Sequence, residues 1–146
     1  MGRFGKEINE VKITSNYKWW NKELKKFNNE INISTNLEYQ KMGKRINYAL
    51  YAMAIENSYS QLKQNNIDKA LYCHNLVVLM IPDKPYPYIL LAQDYALLNQ
   101  EEKVYENLES AISKGHVNKK ILLETKEFAK FKNSERFEIL ISKLNE

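Results

Sequence analysis

Three asparagines, Asn65, Asn99 and Asn133, stand 34 residues apart, and each falls where one apolar helical pattern stops and another starts. Lys69 and Lys103 keep the same spacing, as do Ile55 and Ile89. A fixed period of this size is what stacked helical hairpins produce, because each hairpin leaves an apolar face that the next one covers. The chain has only four glycines and three prolines in 146 residues, too few for the tight turns of a sheet protein. An all-α fold is therefore predicted, an array of about seven antiparallel helices joined by short turns.

The helices can be placed from the spacing of apolar residues. Residues 1–15 alternate weakly at Ile8, Val11 and Ile13, which reads as an extended lead-in. From Asn16 onward Tyr17, Trp20, Leu24, Phe27 and Ile31 step by three, four, three and four, so they share one face of a helix, with Lys18, Lys22, Lys25 and Lys26 mostly elsewhere. Residues 1–35 thus form a lead-in and an amphipathic helix, and residues 36–146 the repeat domain. "STNLEYQ" offers a start signal in which Thr35 and Glu38 are spaced as a capping box. The segment that follows, to Gln64, is one long helix or two joined at Gly43. Its stripe runs through Ile46, Leu50, Met53 and Ala49, Ala52 and Ala54, edged by Tyr48, Tyr51 and Tyr59. A further helix ends before Pro82, since the residue preceding a proline is driven out of helical geometry. Pro85 and Pro87 suit the first turn of the next helix. Lys114-Gly115 is a stop signal, and the final pair spans roughly 118–130 and 134–144, the last helix capped by Ser134 or Asn133.

Residues 85–118 resemble a tetratricopeptide repeat. Tyr88, Leu91, Ala92 and Tyr95 stand at that family's bulky, large, small and aromatic positions in the first helix, and Val104, Leu108 and Ala111 at the packing positions of the second. Residues 51–84 match through Ala70, Val77 and Pro82, but depart at Asn57 and Gln61. The ending resembles one common in bacterial members, with Phe128, Phe131, Arg136, Phe137 and Leu140 in place, while Lys126 and Glu135 replace an acidic residue and a proline. The resemblance implies that Phe128, Phe131, Phe137 and Leu140 close the last hairpin, with Lys130, Lys132, Glu138 and Lys143 mostly outward. It also implies that first helices of successive hairpins line a concave face. Here that face carries Ala52, Ile55, Tyr59 and Lys63 from one unit, and Tyr86, Ile89, Gln93 and Leu97 from the next.

No catalytic, cofactor or metal site is expected. Glycine-rich phosphate loops, paired metal-ligand spacings and nucleophile–base sets are all missing. Cys73 and His74 are adjacent, but helical neighbours point about 100° apart and cannot readily form a dyad. His74 reads as a packing residue, His116 as solvated, and Glu101, Glu102, Glu106 and Glu109 as a soluble helix face. The expected function is a non-enzymatic scaffold that binds an apolar or helical partner segment on the concave face. The partner-binding residues are Ile55, Tyr59, Lys63, Tyr86, Ile89, Gln93 and Leu97, with Trp19 as a side anchor; alternatively Trp19 and Trp20 both cover the open end of the array. Other readings are an accessory module of a larger enzyme or secretion assembly, and a binder of nucleic acid or an anionic surface. The last rests on charge: residues 1–50 hold ten Lys/Arg against five Asp/Glu, whereas the whole chain carries +4. No segment has the apolar length of a membrane span and the start has no secretory pattern, so a cytoplasmic location is expected, with an exported mature protein as the alternative.

Overall fold

The computed structural model describes residues 16–144 and is all-helical, without strands among the described residues. Seven α-helices and a 3-10 turn follow in order: α1 (Tyr17–Ile33), α2 (Leu37–Lys63), α3 (Ile67–Met80), α4 (Tyr86–Leu97), α5 (Glu101–Ser113), α6 (Lys119–Glu124), the 3-10 turn (Lys126–Phe128) and α7 (Glu135–Ser142). The reading of residues 1–15 as a lead-in lies outside the described residues. The described residues divide into two compact units, 16–82 and 83–144. This differs from the 35/36 boundary read from the sequence, because α1 shares a core with α2 and α3.

In the first unit, α1 buries Trp20, Leu24, Phe27 and Ile31, and leaves Tyr17 at the surface. This stripe meets Leu50 of α2 and Leu76 of α3 in one apolar cluster. The helix after residue 36 is continuous for 27 residues. Gly43 does not break it, because it is a contact point: a Cβ there would collide with the side chain of Ile31. Next to it the Asn47 amide donates to Asn28 Oδ1 at 2.6 Å. The buried line of α2 is Gly43, Leu50, Ala54, Ser58 and Gln61, so Ala49 and Ala52, expected in the stripe, are exposed instead. The cap also differs. Asn36, in extended conformation, accepts from the Glu38 and Tyr39 backbone N–H groups, whereas Ser34 Oγ accepts from Asn36 N–H. An Asn side chain is as good an N-cap as Thr, and here it stands one residue nearer the helix.

The turn between α2 and α3 recurs between α4 and α5. Asn65 and Asn99 are the only non-glycine residues with positive φ among the described residues, at 59° and 57°. In each turn the next N–H reaches back to close the helix end, Asn66 to Gln61 O and Gln100 to Tyr95 O, both at 2.9 Å. This left-handed cap satisfies carbonyls that would otherwise lack partners. Asn133 does not repeat it; there Ser134 caps α7 by accepting from Phe137 N–H.

The second unit has its own core, in which Val104, Tyr105, Leu108 and Ala111 of α5 meet Leu122, Phe128, Phe131, Phe137 and Leu140. All four apolar residues of the ending are thus buried, while Lys130, Glu138 and Lys143 are exposed and Lys132 is half-exposed. The first helix expected for the final pair is much shorter, because the backbone turns extended at Thr125. The chain then makes a ladder of three-residue turns, with Phe128 N–H to Thr125 O, Phe131 N–H to Phe128 O and Ser134 N–H to Phe131 O. Three residues per turn brings side chains three apart into line, which puts Phe128 and Phe131 on one side. Two contacts join residues 34 apart: Arg136 bonds Glu102 at 2.9 Å and Lys130 Nζ bonds Ala96 O at 3.0 Å.

Candidate functional site

The outer face of α2 carries an aromatic surface band. Tyr48, Ala52, Ile55, Tyr59 and Lys63 step by four, three, four and four, so they line the side of the helix opposite Gly43, Leu50 and Ala54. Tyr48 is 73% exposed and Tyr59 49%, high values for aromatic side chains on a folded helix. Tyr51 lies beside them, half-buried, its ring centroid 6.5 Å from that of Tyr48. Burial, with smaller contributions from Tyr59 and Tyr48, pushes the Tyr51 phenol above its ordinary value. At neutral pH it is a hydrogen-bonding hydroxyl. Small Ala52 between these large residues leaves a dent in the face.

Cations bracket this band. Lys44 and Arg45 lie exposed one turn before Tyr48, and Lys63 one turn after Tyr59. Lys41 is held by Glu38 at 2.8 Å. Glu56 is the acidic residue within the band.

The expected binding residues lie on α1, α2 and α4. Ile55, Tyr59 and Lys63 share the outer face of α2 as anticipated. Trp19 does not join them: it is half-buried, edge-on to Trp20 at a centroid distance of 5.2 Å, and packs against the first unit's core. On α4, Tyr86 and Leu97 are 40% and 44% exposed and Gln93 is half-buried. Ile89 corrects the reading, because it is buried in the second unit's cluster and has no surface to offer. The cause lies in α4 itself, which buries Pro87, Ile89, Leu90, Leu91, Ala92, Asp94 and Ala96 over most of its circumference; only the narrow strip of Tyr86, Gln93 and Leu97 is left, and Ile89 falls just outside it. Tyr48, Tyr51, Lys44 and Arg45 were missing from the expected site, although the same wheel spacing that selects Tyr59 selects them.

Two cavities accompany these surfaces. One of about 410 Å³ in the first unit is lined by Tyr17, Asp68, Leu71, Tyr72 and Asn75. Another of about 440 Å³ in the second unit lies between Ile112, Gly115–Lys119 and Lys143–Leu144. Cys73 and His74 are buried in α3, and no cluster of three or more His, Cys, Asp or Glu residues suited to a metal occurs among the described residues. No described helix is long and apolar enough to cross a membrane. Lys18, Lys22, Lys25 and Lys26 are exposed on α1, opposite its buried stripe.

Compared with protein-family models, curated proteins and solved structures, the chain matches none.

Proposed function

We propose that this chain is a non-enzymatic helical-repeat protein of tetratricopeptide type that binds a segment of another protein along the outer face of α2. The observation that carries the binding role is the band formed by exposed Tyr48, Ala52 and Tyr59 with half-buried Tyr51 and Ile55 between them. Tyrosines offer large, nearly rigid contact area with a hydroxyl at the tip, so they bind strongly for little loss of conformational freedom. Tyr48 to Tyr59 covers three helical turns, about 16 Å of surface, enough for a short partner segment. What supports the repeat reading is the recurrence of one turn geometry at Asn65 and Asn99, together with the contacts between residues 34 apart in the second unit.

The test is partner capture from the source cell, followed by titration of the identified segment against the wild-type protein and the double variant Tyr48→Ala/Tyr59→Ala. The variant is expected to bind at least about tenfold more weakly, as loss of two aromatic anchors implies, with an unchanged helical circular dichroism spectrum. Undiminished binding removes the α2 face from consideration.

A further inference from the structure

The shape and charge of the α2 face specify more about its occupant. Side chains at i, i+3, i+4 and i+7 on a helix enclose a hole that accepts one side chain of a neighbouring helix. Tyr48, Tyr51, Ala52 and Ile55 form one such hole, and Ala52, Ile55, Glu56 and Tyr59 form the next. In both, Ala52 is the low wall, and it is exposed. Two successive holes along one ridge fit the knobs of a second helix, whereas an extended strand would need an edge to pair with and the described residues contain no strand. The charges then bias which helix docks. Lys44 and Arg45 are exposed and form no ion pair among the described residues, while Lys41 already has Glu38. Lys63 stands at the far end. A basic segment would meet repulsion at both ends, and an acidic one attraction, strongest beside Lys44 and Arg45. From Arg45 to Lys63 the face is about 27 Å long, the length of a helix of about 18 residues.

Resting on the α2 reading above, we infer that the occupant is an acidic amphipathic helix, its apolar knobs seated in the two holes around Ala52 and its carboxylates against Lys44 and Arg45. The excess of charge at one end also fixes its direction, with the more acidic end at Lys44 and Arg45.

The probe is a synthetic helical peptide of about 18 residues, with leucines at i, i+4 and i+7 and glutamates clustered beyond one end of that stripe, labelled for fluorescence anisotropy. Its counterpart has glutamine in place of each glutamate. The glutamate peptide is expected to bind at least about fivefold more tightly at low salt, the gap closing as salt screens the charges. Lys44→Glu/Arg45→Glu should abolish that gap without weakening the glutamine peptide. If both peptides bind equally, or the gap survives the charge reversal, the acidic occupant is wrong while the α2 site stands. If neither binds, or binding survives Tyr48→Ala/Tyr59→Ala, the α2 reading itself fails, and the inference with it. Sedimentation without peptide covers the remaining occupant: concentration-dependent self-association that disappears in Lys44→Glu/Arg45→Glu assigns the face to a second copy of this chain and overturns the inference.

Discussion

Tyr105 and Arg136 show how the last helix is held at the level of single side chains. Tyr105 is fully buried, its hydroxyl lies 2.8 Å from Ser134 Oγ, and its ring carries the Arg136 guanidinium at 4.1 Å. The hydrogen bonds from Arg136 to Glu102 raise the arginine's already high pKa, so this cation does not titrate in any ordinary range. Ser134 serves twice, as partner to Tyr105 and as cap of α7. The apolar anchor of the same helix is Phe137, 1% exposed and tilted against Phe128 at a centroid distance of 6.5 Å. Phe137→Ala is expected to cost about 3 kcal/mol in denaturant unfolding, as loss of a buried aromatic does; a loss under about 1 kcal/mol would show that the ring does not fill the core. Phe137 could be picked out from the resemblance of the ending to a known one, in which an Arg-Phe pair precedes a terminal Leu. Tyr105 could not, because nothing in the sequence says that its hydroxyl meets a serine 29 residues later.

Among the elements, the turns repeat more faithfully than the helices. Asn65 and Asn99 adopt the left-handed conformation that costs most residues about 1 kcal/mol, and asparagine tolerates it better than other non-glycine residues. Asn65→Ala is therefore expected to lower stability by about 1 kcal/mol, and Asn65→Gly to leave it unchanged or slightly raised. Thermal and urea unfolding of the two variants decide this; equal losses would mean that the Asn65 side chain, not its backbone, matters. The helices on either side were legible wherever one face is apolar and the other charged, as in α1. They were less legible where local hydrogen bonding competes with the helix. The backbone turns extended at Thr125, and the following 3-10 ladder buries Phe128 and Phe131 with a three-residue step that a helical reading also permits. The Asn36 cap was misplaced by one residue for the same reason: Ser34, Thr35 and Asn36 are all competent caps.

At the scale of the molecule, each unit carries its own buried cluster, one spanning Trp20 to Leu76 and the other Ile89 to Ile141. Domains as short as residues 83–146 can fold alone when their core is well filled. The fragment 83–146 is expected to unfold cooperatively with heat, followed by circular dichroism; a broad, non-cooperative melt would show that its core depends on the preceding residues. Charge is divided as well. Residues 16–82 hold nine Lys/Arg against five Asp/Glu, whereas residues 83–146 hold ten against eleven. The proposed acidic partner therefore meets the unit whose charge favours it.

The sequence by itself determined the helical class and most helix positions, because these follow from apolar period, scarce glycine and proline, and local stop signals; the inward face of the ending was implied by its resemblance to a known repeat-protein ending. It also marked Tyr59 and Lys63 on one helix face. Only the tertiary structure decided that Gly43 is a contact point with Ile31 instead of a break, that Ile89 is spent on the core, and that Tyr48 and Tyr51 remain at the surface with Tyr59. Periodicity says which residues share a side of a helix. Whether that side is covered depends on neighbours that are distant in sequence, and a largely apolar helix such as α4 gives little local clue to which side they take.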